Sequence, residues 1–161
     1  MARVKIENVT KKFGNIVAVN DLNLEVEDKS FVCLLGPSGC GKTTTLRIIA
    51  GLETPEGSIY IGDELVNELS AAERDIAMVF QFYALYPTMT VAENLAFPLR
   101  TQKLTKREID ERVRQVADIL HITGILSRKP DQLTAGEAQR VAIGRAVVRR
   151  PRVYLLDEPL T

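Results

Sequence analysis

The chain has 161 residues, 45% hydrophobic and 26% charged, so it is long and apolar enough for one packed domain. Lysine plus arginine and aspartate plus glutamate number 21 each, which argues against binding nucleic acid through the whole surface. The N-terminus has no apolar leader core, and only two cysteines, Cys33 and Cys40, favour a reduced compartment. The longest uncharged stretch, 76–92, is too short and interrupted to span a bilayer, so we expect a soluble chain.

The N-terminal third predicts strands around one short helix. Apolar and polar residues alternate in two runs separated by Gly14 and Asn15, which is typical of antiparallel strands. The next run, 30–36 (SFVCLLG), is continuously apolar and predicts a strand buried on both faces. A helix over Lys42–Ala50, closed by Gly51, should follow. Further buried-strand candidates are Ile76–Phe80 and Val153–Leu156.

The pattern becomes helical between residues 88 and 150. Thr105 and Glu108 have the spacing of a capping box, and the apolar residues behind them recur on one helix face. A second helix should begin near Thr134 and end before Pro151, because proline disfavours the α conformation in the residue before it. The apolar face consists of Ile109, Val113, Val116, Ala117 and Leu120.

A phosphate-binding loop is the strongest motif. Residues 36–43, GPSGCGKT, match the pattern G-x-x-x-x-G-K-[ST] at every fixed position. Glycines let backbone N–H groups turn towards phosphate oxygens, and the helix that follows adds its positive end. We predict that Lys42 reaches the β- and γ-phosphates and that the Thr43 hydroxyl binds Mg²⁺. The candidate ATP-binding residues are Gly36, Pro37, Ser38, Gly39, Cys40, Gly41, Lys42, Thr43 and Thr44.

Two acids follow the apolar run VYLL near the end of the chain. Asp157 would bind the metal through its water shell, and Glu158 would orient and polarise an attacking water. Alone, two acids after a strand could simply begin a turn. The upstream phosphate loop favours the catalytic interpretation.

A third motif, residues 133–137 (LTAGE), permits two interpretations. Thr134 and Glu137 fit a capping box that begins a helix. A hydroxyl and a glycine at a helix N-terminus would also suit a second anion site. The residues alone leave both open.

In this order, the motifs resemble those of the nucleotide-binding subunits of ATP-binding-cassette (ABC) transporters, over essentially the whole chain. The resemblance is carried by GPSGCGKT, by Gln81 in MVFQFYALYPTMTV, by LTAGEAQRVAIGRA and by VYLLDEP. The stretches LLGPSGCGKTTTLRIIAGLE and FYALYPTMTVAENLAFPL are most similar to ATPases of maltose, trehalose and glycerol-phosphate importers. The resemblance implies an α/β, P-loop NTPase (RecA-like) core with an N-terminal antiparallel β subdomain and an ABC-type helical subdomain.

The same resemblance implies a division of the chain into three parts. Residues 1–87 would form the antiparallel β subdomain and the P-loop core up to the glutamine loop. Residues 88–152 would form the helical subdomain with the signature motif, and residues 153–161 the acidic strand of the core. We expect the domain to be truncated after that strand, without the following loop, the switch histidine and a regulatory domain. Such a piece should bind ATP and hydrolyse it poorly.

The resemblance also implies roles for single residues. Phe13 would stack on adenine and Val19 would line the base, although Phe13 suits a core position at a strand end equally well. Gln81 would touch Mg²⁺ and the attacking water, and so act in catalysis with Lys42 and Glu158. The apolar residues 82–87 would lie against a membrane subunit, or would simply pack in the core.

The signature motif would act across a head-to-tail dimer, in which Leu133, Thr134, Ala135, Gly136 and Glu137 face ATP bound to the other subunit. The usual sequence is LSGGQ. A β-carbon at Ala135 and a carboxylate at Glu137 close to polyphosphate predict a weakened closed dimer.

These features favour ATP hydrolysis that powers solute import, with sugar as the implied solute. Cofactors would be ATP and Mg²⁺; partners would be permease subunits, a second ATPase subunit and, indirectly, an extracytoplasmic solute-binding protein, at the inner face of the membrane. A soluble ABC-type ATPase acting on nucleic acid or ribosomes is the alternative, and a nucleotide-binding module without turnover is a third. The zero net charge, the stretch 82–91 (FYALYPTMTV) and the compact helical insertion argue against nucleic acid.

Overall fold

The structure is a computed structural model that describes residues 1–159. The chain forms two compact units. The first comprises Met1–Met78 and Arg152–Asp157, and the second comprises Val79–Pro151 together with Glu158 and Pro159. The expected subdomain boundary after residue 87 stays a prediction.

An antiparallel sheet forms much of the first unit, as the alternating pattern predicts. Strands β1 (Val4–Phe13) and β2 (Ile16–Val26) pair around a tight turn at Gly14, which has a φ of +57°. Strand β3 (Glu56–Ile61) pairs with the other edge of β1, and β4 (Glu64–Leu65) completes the order β2-β1-β3-β4. Apolar side chains on one face enter the core because successive residues point to opposite faces.

Helix α1 (Lys42–Ile49) packs into the same core, with Ile48 and Ile49 buried. It ends at the predicted place: Gly51 adopts a φ of +76°, the left-handed conformation common after a helix. Strands β5 (Ile76–Val79) and β6 (Val153–Leu156) form a two-stranded sheet, so both later strand predictions are confirmed.

The prediction of a buried strand over residues 30–36 is wrong for this structure. The segment has no regular structure, and Phe31 and Leu35 are 83% and 88% exposed. A strand buried on both faces needs hydrogen-bonded neighbours and covering layers. Within residues 1–159, the second sheet consists of β5 and β6 alone, and neither pairs with this segment. The apolar run indicates that these side chains would be stable when buried, but the described residues do not cover them.

The second unit is helical around its own core. Its helices are α2 (Val91–Ala96), α3 (Lys106–Ile119) and α4 (Ala135–Val147). The predicted apolar face of α3 is confirmed, since Val113, Val116 and Ala117 are buried. Short 3₁₀ turns at Phe97–Leu99, Thr123–Ile125 and Pro130–Gln132 connect the helices.

All three helices of this unit begin with the same capping box. The N-cap threonine accepts a hydrogen bond from the N–H of a glutamate three residues later, whose carboxylate accepts from the threonine N–H. The pairs are Thr90 with Glu93, Thr105 with Glu108, and Thr134 with Glu137.

None of the helices formed by residues 1–159 has both the length and the apolar character needed to span a membrane.

Candidate functional site

The phosphate loop is shaped by glycines in the left-handed conformation. Gly39 and Gly41 have φ values of +80° and +92°, which L-residues rarely adopt. A β-carbon on Gly41 would also lie 2.4 Å from the carbonyl oxygen of Ala18. Glycine is therefore required at Gly41 by conformation and by space, and the loop can bring its N–H groups close to a ligand.

The N-terminus of α1 is free of side-chain capping. Its N-cap is Gly41, no side chain accepts a hydrogen bond from the first turn, and that turn contains no acidic residue. The first N–H groups of a helix lack intrahelical partners and carry partial positive charge, so this end suits an anion.

Lys42 folds over the loop. Its Nζ donates hydrogen bonds to the carbonyl oxygens of Gly36 and Pro37, both at 2.8 Å, and lies 3.6 Å from Cys40 Sγ. Phosphate oxygens carry full negative charge and are stronger acceptors than these carbonyls. The lysine therefore already lies where a polyphosphate in the loop would need a cation.

Thr43 and Asp157 lie together although 114 residues separate them in the sequence. Thr43 Oγ1 donates a hydrogen bond to Asp157 Oδ1 at 2.8 Å. Asp157 follows β6 directly and is only 6% exposed. This contact joins the phosphate loop to the first of the two acids.

The Thr43–Asp157 pair fits a magnesium site that also includes the nucleotide. Mg²⁺ prefers oxygen ligands and is usually held by one or two carboxylates together with substrate phosphates and water. A hydroxyl and a carboxylate beside the phosphate loop supply the protein part of such a set. A dedicated cage is absent from the described residues, which contain no cluster of three or more His, Cys, Asp or Glu.

Phe13 and Val19 differ in exposure. Phe13, at the end of β1, is 46% exposed, and Lys11 Nζ lies 5.0 Å from its ring centroid. A core role for Phe13 is therefore excluded, while stacking on adenine stays a prediction. Val19 is buried and would contact a β-carbon on Gly41 at 3.4 Å, so it supports the loop from the core. Contact between Val19 and a base also stays a prediction.

Gln81 and Glu158, both in the second unit, form a direct pair. Gln81 Nε2 donates a hydrogen bond to Glu158 Oε2 at 2.8 Å, and both side chains are exposed. Glu158 has a φ of +48°, a strained conformation for a non-glycine residue. The amide orients one carboxylate oxygen, and no hydrogen bond to the other oxygen is described.

Residues 82–87, which we name the docking segment after the membrane-subunit contact predicted for them, have no helix or strand. Phe82 is 84% exposed, so simple core packing does not explain it. Leu85 packs against the core of the second unit, and the Tyr86 ring lies 4.5 Å from that of Phe97. The segment is thus fixed on one side and apolar on the other.

Two residues that hold the docking segment were not found from the sequence. Asn94 is fully buried in α2; its side chain accepts from the N–H of Tyr86 at 2.9 Å and donates to the carbonyl of Tyr86 at 3.1 Å. Arg145 in α4 donates to the carbonyl of Ala84, and its guanidinium lies 4.4 Å from the Tyr86 ring centroid. Burial lowers the pKa of Arg145. Asn94 binds backbone atoms eight residues away and Arg145 a carbonyl 61 residues away. Backbone groups are the same for every residue type, so a residue pattern does not reveal either contact.

At the signature motif, the capping interpretation is confirmed. Glu137 Oε2 accepts hydrogen bonds from the N–H of Thr134 at 2.8 Å and from its hydroxyl at 3.0 Å. Glu137 Oε1 lies 3.6 Å from Arg128 Nη1. The N–H of Thr134, then its hydroxyl, and more weakly Arg128 lower the pKa of Glu137, so the carboxylate is charged at neutral pH.

The remaining residues of the motif differ in burial. Leu133 packs against the core of the second unit, whereas Ala135 and Gly136 are exposed at the start of α4. A β-carbon on Gly136 would meet no atom within 4 Å. Contact with a nucleotide bound to another subunit stays a prediction for this motif.

Comparison with known proteins gives concordant matches. The ABC transporter family matches residues 19–161. The chain is 57% identical to the trehalose/maltose import ATP-binding protein of Thermococcus litoralis and 59% identical to the osmoprotective compounds uptake ATP-binding protein of Synechocystis. Each match covers 100% of this chain and 45% of the relative, so the chain spans under half of their length.

A solved structure gives the same result for the fold. The ATP-binding cassette solved as a dimer in a post-hydrolysis state with ADP and Pi superposes with a TM-score of 0.87 at 37% identity. The match covers 97% of this chain and 74% of that one. The predicted fold class, an α/β P-loop cassette with an antiparallel β subdomain, is thereby confirmed.

Proposed function

Since the chain belongs to the ABC transporter family, we propose that it is the ATP-binding and hydrolysing part of a subunit that powers solute import. The observation that carries the proposal is the hydrogen bond between Thr43 and Asp157. It brings a phosphate loop and an acid from the far end of the sequence to one place, as ATP hydrolysis requires.

The phosphates of ATP would bind in the loop of residues 36–43, where the free N-terminus of α1 attracts negative charge. Lys42 would exchange its bonds to the carbonyls of Gly36 and Pro37 for bonds to phosphate oxygens. Thr43 and Asp157 would hold Mg²⁺ together with the nucleotide. When bound, the ion neutralises charge on the phosphates.

Hydrolysis needs a base that accepts a proton from the attacking water. Glu158 has that role in our proposal, because Gln81 binds only one of its oxygens and leaves the other available. Gln81 would thereby orient the base and also approach Mg²⁺. Phe13 would stack on the adenine, for which its exposed ring at the end of β1 is suited.

A second subunit would complete the site. We propose that residues 133–137 contact ATP bound to a partner copy in a head-to-tail dimer. The similar cassette was solved as a dimer, which supports this arrangement. Residues 82–87 would contact the permease, because their exposed side includes Phe82. The subunit would therefore lie at the inner face of the membrane, and an extracytoplasmic solute-binding protein would act through the permease.

We propose a sugar as the solute. A relative 57% identical to this chain is named for trehalose/maltose import, while one 59% identical is named for uptake of osmoprotective compounds. Uptake of labelled maltose, trehalose and a betaine-type osmoprotectant by vesicles that contain the complex would decide. Faster ATP-dependent uptake of the betaine would contradict the sugar assignment.

ATP turnover by the full-length subunit, with and without its membrane subunits, tests the function itself. We expect Lys42→Ala and Glu158→Gln to lower the rate at least about 100-fold, with Glu158→Gln retaining ATP binding. Copurification with membrane proteins, and stimulation by them, is expected. Stimulation by nucleic acid or ribosomes instead, or turnover unaffected by both substitutions, would contradict the proposal.

A further inference from the structure

We propose that Arg145 is a positioning residue that holds the docking segment in the conformation engaged by the membrane subunit and ties it to α4. The inference rests on the proposed function, because it concerns how the permease stimulates ATP turnover. It adds a residue outside the phosphate loop, the acid pair and the signature motif.

The docking segment depends on side chains for its shape. Residues 82–87 contain no helix or strand, so no hydrogen-bond ladder fixes them. Ala84 has a φ of +47°, which a non-glycine residue keeps only where its surroundings impose it. The side chain of Arg145, which binds the carbonyl of Ala84, therefore helps to maintain this backbone conformation.

Three side chains anchor the segment at different points. Gln81, next to its start, is bonded to Glu158 at 2.8 Å. Asn94 fixes its far end by bonds to the N–H and carbonyl of Tyr86. Arg145 holds the middle, through the carbonyl of Ala84. Without Arg145, the exposed residues between the two outer anchors would lose their only described side-chain bond to a helix.

Arg145 has the geometry of a clamp. Its guanidinium lies 4.4 Å from the centroid of the Tyr86 ring, within the range of cation–π attraction, while it donates to the carbonyl of Ala84. The Nε atom is buried and has no hydrogen-bond partner. A half-buried cation held between one ring and one carbonyl restrains their separation more than a fully solvent-exposed arginine would.

The same residue connects the docking segment to the signature motif. Arg145 lies in the last turn of α4, and Thr134 caps the first turn. A helix of 13 residues is about 20 Å long and moves as a rigid element. Displacement of the segment by a docked permease would therefore act on the whole of α4 through Arg145.

The test uses the full-length subunit, alone and in the complex purified with its membrane subunits. Arg145→Met keeps an unbranched apolar stem of similar shape and removes the charge and the hydrogen-bond donors. We expect permease-stimulated ATP turnover to fall about tenfold, while basal turnover of the detached subunit changes less than about twofold. Arg145→Lys keeps a cation over Tyr86 and should restore roughly half of the stimulation.

Arg112→Met is the matched control. Arg112 is a half-buried arginine of α3 whose described side-chain hydrogen bond goes to Gln102, at 3.2 Å, and not to the docking segment. We expect it to leave stimulation unchanged. Hydrogen exchange of the Tyr86 amide, which donates to Asn94, gives a second measurement. Exchange of this amide should accelerate at least about tenfold in Arg145→Met and not in Arg112→Met.

The outcomes separate the two proposals. If the wild-type subunit neither copurifies with membrane proteins nor responds to them, the proposed function is wrong. If the wild type is stimulated and Arg145→Met is stimulated equally, the function stands and the role of Arg145 is overturned. Equal losses in basal and stimulated turnover would also overturn it, because they indicate a general structural role.

Discussion

The two helices that begin at predicted nucleotide contacts, α1 and α4, differ at both ends. Helix α1 starts at Gly41 without a side-chain cap, whereas the start of α4 is closed by Thr134 and Glu137. At their C-termini, α1 receives the buried guanidinium of Arg74, while Arg145 of α4 reaches out to the docking segment. Helix α1, whose N-terminus is left free for phosphate, is thus stabilised at its C-terminus by Arg74. Helix α4, whose N-terminus is capped by its own residues, uses Arg145 for a contact outside the helix.

The largest effect on stability is expected for Arg74→Met. The Arg74 side chain is buried, and it donates to the carbonyl oxygens of Ile48 at 2.9 Å, Ile49 at 3.0 Å and Leu69 at 3.1 Å. Its removal leaves buried acceptors unpaired at the negative end of α1, so we expect a loss of about 3 kcal/mol in the free energy of unfolding. Urea unfolding of the full-length chain measures it.

Arg47 supplies the control for that experiment. It lies in the last turn of the same helix but is exposed. Arg47→Met should change the free energy of unfolding by less than about 0.5 kcal/mol. Equal losses for the two substitutions would mean that loss of positive charge near the helix end, and not burial of Arg74, explains the result.

Gly41→Ala should have the next largest effect on stability. The new β-carbon would lie 2.4 Å from the carbonyl of Ala18 in a backbone with a φ of +92°, so the loop has to shift. We expect about 2 kcal/mol of lost stability, together with at least about tenfold weaker binding of a fluorescent ATP analogue. Gly136→Ala is the comparison in α4. A β-carbon there meets nothing within 4 Å, so stability should not fall.

Much of this architecture follows from local patterns. The alternation before and after Gly14 predicts β1 and β2, and the spacing of Thr105 and Glu108 predicts the start of α3, because both depend on neighbours in sequence. The meeting of Thr43 with Asp157 needs more than spacing. It was expected because both motifs were recognised as parts of one kind of site.

The failures have a common physical cause. Residues 30–36 are apolar enough for a buried strand, but hydropathy does not tell which strands are present to pair with them. Arg74, Asn94 and Arg145 bind backbone carbonyls, and a carbonyl is the same for every residue type. A pattern of polar residues therefore marks these side chains as solvent-facing although they are anchors.

Thr134→Ala should separate capping from nucleotide contact. Loss of the hydroxyl that accepts from the N–H of Glu137 should cost about 1 kcal/mol of unfolding free energy. Thr105→Ala removes the same cap from α3 and should cost a similar amount. Only Thr134→Ala should weaken ATP-driven dimerisation of the full-length subunit, measured by sedimentation. Equal weakening by both would indicate that helix stability alone is involved.

The smallest effect is expected for Glu137→Gln, which tests whether the closed start of α4 limits dimerisation. An amide oxygen can still accept from the N–H of Thr134, so unfolding at pH 7 should change little. The substitution would remove a negative charge where ATP of the partner subunit is proposed to bind, and so would remove repulsion between like charges. We expect the Glu137→Gln, Glu158→Gln double variant to dimerise at about threefold lower ATP concentration than Glu158→Gln alone. In the complex with the membrane subunits, the single variant Glu137→Gln should have a higher ATPase rate than the wild type.

Unfolding at acid pH and a matched substitution, Glu108→Gln, make the Glu137→Gln test more specific. Hydrogen bonds from the N–H and hydroxyl of Thr134 lower the pKa of Glu137 below the usual 4.5. Its contribution to stability is therefore present above that pH and is lost as the pH falls through the lowered pKa, so Glu137→Gln should be less acid-sensitive than the wild type. Glu108→Gln changes the equivalent carboxylate of α3 and should reduce acid sensitivity likewise, without altering dimerisation. If Glu137→Gln and Glu108→Gln dimerise alike, the carboxylate of Glu137 only caps its helix and does not oppose the nucleotide.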